Sequence, residues 1–122
     1  MSGGTFEYQQ YRIRAIADEI EQEIYNSGRT KTEQEIKDEK NNWYPGYVPE
    51  PVYPEYPKEV LNEFIKAYEL LRLAEIYAHR IDWLIAGDEG EERFLKRLKQ
   101  DLEIFNAELA IKQKTGFKPE DY

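Results

Sequence analysis

The sequence predicts an all-α fold, an elongated helical bundle built around a C-terminal antiparallel hairpin. Three observations lead there. Apolar residues recur every three or four positions over three long stretches, which places them on one face of a helix. Helix-ending residues, Gly28 and Gly87, fall where two of those stretches stop, and Pro57 stands where the second begins. The last stripe, Leu95, Leu98, Leu102, Phe105 and Leu109, steps alternately by three and four, the seam of a bundle or coiled coil. At 122 residues the chain reads as a single helical domain over 1–122.

Taken in order, the first helix is expected over about 6–26. Ile13, Ile16, Ala17, Ile20 and Ile24 share one face, Tyr8 and Tyr11 extend it, Thr5 is a candidate N-cap, and Gly28 suits a left-handed stop. A short polar helix is expected over about 33–40, because Thr32 with Glu35 matches the reciprocal capping pattern. Composition then shifts sharply. Five of the six prolines lie between Pro45 and Pro57, interleaved with Trp43, Tyr44, Tyr47, Tyr53 and Tyr56. Proline removes backbone donors, so 43–57 should form a stiff, extended strap whose rings pack across the helices.

Pro57 suits the first turn of a helix over about 58–85, with Leu61, Phe64, Ile65, Tyr68, Leu71, Ala74, Ala78, Ile81 and Ile85 as its apolar stripe. Such a helix is ~42 Å long at 1.5 Å per residue. A spherical chain of this size has a radius of gyration of only ~14 Å, so an elongated bundle or a homo-oligomer is implied. Ala86-Gly87-Asp88 allows only a tight reversal, after which Asp88 and Glu91 are placed to start a helix over about 89–113. The tail after Lys114 reads as frayed.

Composition narrows the functions. There is no cysteine, which excludes disulfides, thiolate metal sites and cysteine nucleophiles. A formal charge of −8 opposes general nucleic-acid binding, which depends on Lys and Arg displacing counterions. No stretch nears the ~20 apolar residues of a membrane span, and the N-terminus lacks the charged and apolar regions of a secretory signal, so a soluble cytoplasmic protein without membrane contact is expected.

No constellation points to catalysis. The one histidine, His79, has Glu75 and Asp82 a turn away, yet these come from one helix and lack the E-x-x-H pairing of bundle metal sites, so neither metal nor cofactor is expected. Glu19, Glu23, Glu35 and Asp38 resemble the acidic pairs of all-α nucleoside triphosphate pyrophosphohydrolases. Glu35 and Asp38, however, lie on the least amphipathic segment, and no further acidic helix completes a magnesium cage. Serine appears only at Ser2 and Ser27, which leaves no hydrolase motif. The binding candidates are the strap residues Tyr44, Tyr47, Tyr53 and Tyr56, together with Arg80 and Trp83 before the reversal and Arg93 and Arg97 after it. Aromatic rings and arginine dominate contact energy at interfaces. For Trp83 the alternative is packing beneath the tyrosine-rich strap.

Two stretches carry a resemblance. Gly3-Gly4-Thr5-Phe6-Glu7-Tyr8-Gln9-Gln10-Tyr11-Arg12-Ile13 with Ala17-Asp18-Glu19-Ile20-Glu21, and Ile76-Tyr77-Ala78-His79-Arg80-Ile81-Asp82-Trp83-Leu84 with Gly87-Asp88-Glu89-Gly90-Glu91-Glu92-Arg93-Phe94, resemble small acidic proteins of bacteriophage and prophage genomes. The resemblance implies a non-enzymatic protein in a host-cell cytoplasm that counters host defence. It would do so by occluding a host protein or, alternatively, by sequestering a signalling nucleotide at a subunit junction.

Overall fold

The computed structural model describes residues 6–117. Among them the chain is all-helical: α1 spans Gln10–Asn26, α2 Glu33–Asn42, α3 Lys58–Ile85 and α4 Glu91–Thr115. There is no strand in this region, only an isolated bridge between Thr30 and Val52.

α1 begins four residues later than its periodicity suggests. Glu7 and Tyr8 take left-handed backbone angles (φ 52° and 64°), which no helix accepts. This turn is held from across the molecule: Asp82, buried on α3, accepts hydrogen bonds from Phe6 N at 3.1 Å and Gln10 Nε2 at 3.2 Å. A strong tertiary acceptor thus replaces the local cap, and Thr5 lies outside the described residues. α2 follows its local code. Thr32 Oγ1 accepts from Glu35 N while Glu35 accepts from Thr32 N, the two halves of a capping box.

α3 runs from Lys58 to Ile85, with Pro57 just outside it at the N-cap and Gly87 (φ 83°) turning the chain afterwards. Asp88 does not cap α4. Its N–H closes the end of α3 by donating to Trp83 O at 3.0 Å, and Gly90 stands at the N-cap with no side chain to contribute. The other end of α4 is better fixed than a frayed tail would be. Gly116 adopts the left-handed conformation (φ 70°), Phe117 N donates back to Lys112 O at 2.8 Å, and the Phe117 side chain is buried.

α3 lies at the centre, with α1 and α4 each packed against it. Tyr68 is fully buried, its ring edge-on to Phe117 at 5.7 Å and 6.4 Å from Phe105. Ala17, Ile24, Ile76 and Leu109 complete the buried cluster, and Ile20, Leu61, Phe64, Leu71, Leu98 and Leu102 pack on it. Along α3 and α4, Arg80 meets Asp101, Arg72 meets Glu108, and Tyr68 meets Phe105. Lys112 of α4 pairs with Glu21 of α1. Six residues of the anticipated stripes, Tyr8, Tyr11, Ile16, Ala74, Ile85 and Leu95, are exposed, because helical periodicity marks a wider sector than two neighbouring helices cover. Arg72 and Asp82 are buried in their place.

The proline- and tyrosine-rich segment runs beside α2 and the α1–α2 connector. Its backbone pairs with the α1–α2 connector: Tyr53 N donates to Arg29 O, Lys31 N to Pro51 O and Gly28 N to Pro54 O, at 2.9, 2.9 and 3.2 Å. Tyr47 and Tyr53 reach α2, and Tyr56 meets Phe64 of α3 at 5.0 Å. Hydrogen-bonding groups left free by the prolines find their partners in a polar connector, which an apolar helix face could not supply.

Candidate functional site

Two regions gather the candidate residues. At the end of α2 the chain turns sharply. Gly46 (φ 91°) permits the turn, and Tyr47 N donates to Tyr44 O at 3.1 Å. The reversal stacks Tyr47 on Trp43, with ring centroids 5.4 Å apart and an interplanar angle of 14°, while Tyr44 meets Tyr47 edge-on at 5.7 Å. Tyr47 is pinned from below, its hydroxyl donating to Glu39 at 2.9 Å, and Lys31 holds the same carboxylate at 2.8 Å. Trp43 and Tyr44 nonetheless remain 60% and 67% exposed, and Val48 beside them is exposed as well. This is an ordered aromatic tip turned to solvent.

Tyr53 and Tyr56 do different work. Tyr56 packs on Phe64, and its backbone N–H donates to Ser27 Oγ at 2.9 Å. Tyr53 donates its hydroxyl to Glu35 at 2.7 Å and lies under the Arg29 guanidinium, 4.9 Å from ring centre. Arg29 also grips Glu35 with both terminal nitrogens, at 3.0 and 2.6 Å. These charge-assisted bonds, Arg29 first, then the Thr32 N–H and the Tyr53 hydroxyl, hold the Glu35 carboxyl far below the ordinary carboxylate range. The same bond raises the Tyr53 phenol above its usual value, since the phenol donates to an anion. Glu35 is therefore committed to structure. Asp38 accepts from Gln34, and neither joins Glu19 or Glu23.

The second region is a groove of about 270 Å³ floored by α3, with α1 and α4 as its walls. Arg14, Arg72, Glu75, His79, Arg80, Asp101 and Glu108 line it. Arg80 donates to Asp101 at 2.7 Å, stands 3.6 Å from Glu89 and lies 5.6 Å from the Trp83 ring centre. Trp83 packs against His79 at 5.5 Å and not beneath the tyrosine-rich segment. His79 is 6.2 Å from Tyr11, which stacks on Tyr8 at 5.8 Å, so four rings cross from the start of α1 to the end of α3. Arg93 and Arg97 stand apart, on an open shelf of α4 with Glu92, Lys96 and Gln100. Glu89, spaced to pair with Arg93, turns to Arg80 instead.

Glu75 and Asp82 do not join His79, since Asp82 faces Phe6 and Gln10 while Glu75 faces Arg72 and Arg14. Among the described residues no cluster of three or more His, Asp or Glu side chains could hold a metal ion. Sequence reasoning missed Arg14 and Arg72 as groove residues. The signal for Arg72 was its register, one turn after Tyr68 on the buried stripe of α3, where a charge must find partners across the fold. In the sequence Trp43 stands out only as one ring of the strap. The chain matches no known protein family, and comparison with curated proteins and with solved structures finds none similar to it.

Proposed function

We propose that this chain is a non-enzymatic binding protein that occludes a partner protein, with Trp43, Tyr44 and Tyr47 as its principal contact. The exposed, ordered aromatic tip carries this reading. Three large rings fixed by stacking lose little conformational freedom on binding, and contiguous exposed apolar surface marks interaction sites. Glu50 and the other carboxylates of a chain with net charge −8 favour a partner whose pocket has a basic rim, since opposite fields speed encounter and fix orientation. In this reading α3 and α4 form an antiparallel hairpin that stiffens the body, and a second copy makes the working unit a homodimer. The likeness to bacteriophage and prophage proteins supplies the setting, in which the occluded partner is a host defence protein in the host cytoplasm. No helix among the described residues is long and apolar enough to cross a membrane.

Affinity capture from bacterial lysate tests the proposal. The intact chain should retain a stoichiometric protein that the double variant Trp43→Ser, Tyr44→Ser releases, with far-UV circular dichroism unchanged between the two. Equal retention by both chains, or capture of no partner by either, would sink it.

A further inference from the structure

The groove between α1 and α4 holds polar atoms that the fold leaves without hydrogen bonds. Arg72 is the most telling. Its side chain is only 9% exposed, Nη1 donates to the Tyr68 hydroxyl at 2.9 Å, and the guanidinium lies 4.9 Å from the Phe105 ring centre. Its Nε, however, makes no hydrogen bond. Glu75 Oε1 stands 3.5 Å from that nitrogen and 3.7 Å from Arg14 Nη1, within ion-pair reach of both, and makes no hydrogen bond. One turn further along α3, His79 Nδ1 is also buried and unpartnered. Burying such atoms unsatisfied is costly, so a cluster of them along one groove points to a guest that completes them.

The atoms specify that guest. Arg72 Nε offers a donor, and Glu75 Oε1 offers an acceptor 3.5 Å away, so the two can bond an adjacent acceptor and donor on one flat edge. With its proton on Nε2, His79 presents Nδ1 as a second acceptor. The complement is a planar guest that carries one acceptor and two donors. His79, Phe105 and Ile104 supply aromatic and apolar surface in the groove, and Trp83 packs against the His79 ring from outside it. About 270 Å³ suits one heterocyclic base, below the roughly 300–1,000 Å³ of sites for drug-sized ligands. Charge adds a restriction: Arg14, Arg72 and Arg80 are matched by Glu75, Asp101 and Glu108, so the lining exerts no net pull on phosphate. We infer that the groove binds a guanine-type base, whose carbonyl oxygen, ring N–H and exocyclic amine supply that acceptor and those two donors, and that it reads the base without its phosphates.

This site is independent of the aromatic tip. The test is titration of the full chain with nucleosides, followed by nuclear magnetic resonance of the Trp83 indole N–H and the His79 ring, with affinities from calorimetry. Guanosine should shift both signals. Inosine, which lacks the exocyclic amine, should bind about tenfold more weakly, and adenosine should not compete. Guanosine monophosphate should bind within about threefold of guanosine, because the groove holds no surplus cation. Glu75→Gln should weaken guanosine about tenfold, and His79→Phe, which keeps a ring but removes Nδ1, should make guanosine and inosine equal. Unmoved signals in the intact chain, or adenosine binding as well as guanosine, would overturn the inference even if neither variant folds. The double variant at Trp43 and Tyr44 should bind guanosine normally, which separates this outcome from failure of the proposed protein contact.

Discussion

Glu35 does more for the α2 end of the molecule than its partly exposed position suggests. One carboxylate accepts from Arg29, from the Thr32 N–H and from the Tyr53 hydroxyl, tying the connector, the helix start and the proline-rich segment together. Its folded-state pKa is depressed, chiefly by Arg29, so the linkage has a definite sign. In the unfolded chain a glutamate takes up its proton near pH ~4.3, whereas the folded carboxylate resists until far lower pH. The stabilisation is complete above the unfolded value and drains away as the pH falls below it. Urea melts from pH 6 down to pH 3 should therefore show stability dropping in acid, with a shallower drop for Glu35→Gln. At neutral pH, Glu35→Ala should cost about 1–2 kcal/mol, discounted for solvent screening of a partly exposed pair. Asp82 plays the matching part at the opposite end of α3. Asp82→Ala strands Phe6 N and the Gln10 amide, and should cost about 2 kcal/mol with faster hydrogen exchange in the first turn of α1. A stable Asp82→Ala chain with unchanged exchange there would show that the turn holds itself.

Among the helices, α4 depends on an ending that its sequence hides. Gly116 turns the backbone left-handed, and Phe117, itself at φ 65°, drops its ring against Tyr68 with 4% exposure. Phe117→Ala should then cost roughly 3–5 kcal/mol, as for other large-to-small core changes, and lower Tm by about 10 °C or more. A shift of only a degree or two would mean that the ring is not part of the core. The boundaries of α3 were legible because Pro57 and Gly87 act locally, through a fixed φ and a left-handed turn. The start of α1 and the end of α4 were not. Both are set by contacts more than forty residues away, Asp82 with Phe6 and Tyr68 with Phe117, which no local pattern encodes. The proline-rich segment shows the same limit. Its stiffness could be read from composition, while its place beside α2 depends on Glu35 and Glu39, whose acceptor roles emerge only when the elements meet.

Taken whole, the molecule has a centre and an unmatched outer side. Half of the candidate site could be read from residue type, since exposed Tyr44 and half-exposed Trp83 are aromatic residues beside reversals of the chain. The groove could not, because Arg14 looks like an ordinary surface charge alone and meets Arg72 and Glu75 only when α1 packs on α3. Self-association is the remaining question at this scale. On α3, Leu70 is 67% exposed and Tyr77, seven residues on, is 43% exposed, so both lie on one stripe turned away from Tyr68. Ile85 continues the apolar surface toward the reversal. A standard interface buries about 800 Å² per partner, and a helix of 28 residues offers a face of that order once its flanking side chains are included. An apolar stripe running along so much of a central helix is best covered by its own copy, since a two-fold contact matches each residue with an equally apolar one. Sedimentation equilibrium at micromolar concentration should give twice the monomer mass. Leu70→Glu with Tyr77→Glu should return the monomer while preserving helical circular dichroism, because both side chains already face water within one chain and their replacement removes nothing from the Tyr68 core. If the intact chain sediments as a monomer, α3 needs no second copy, and its outer stripe must be tolerated in water.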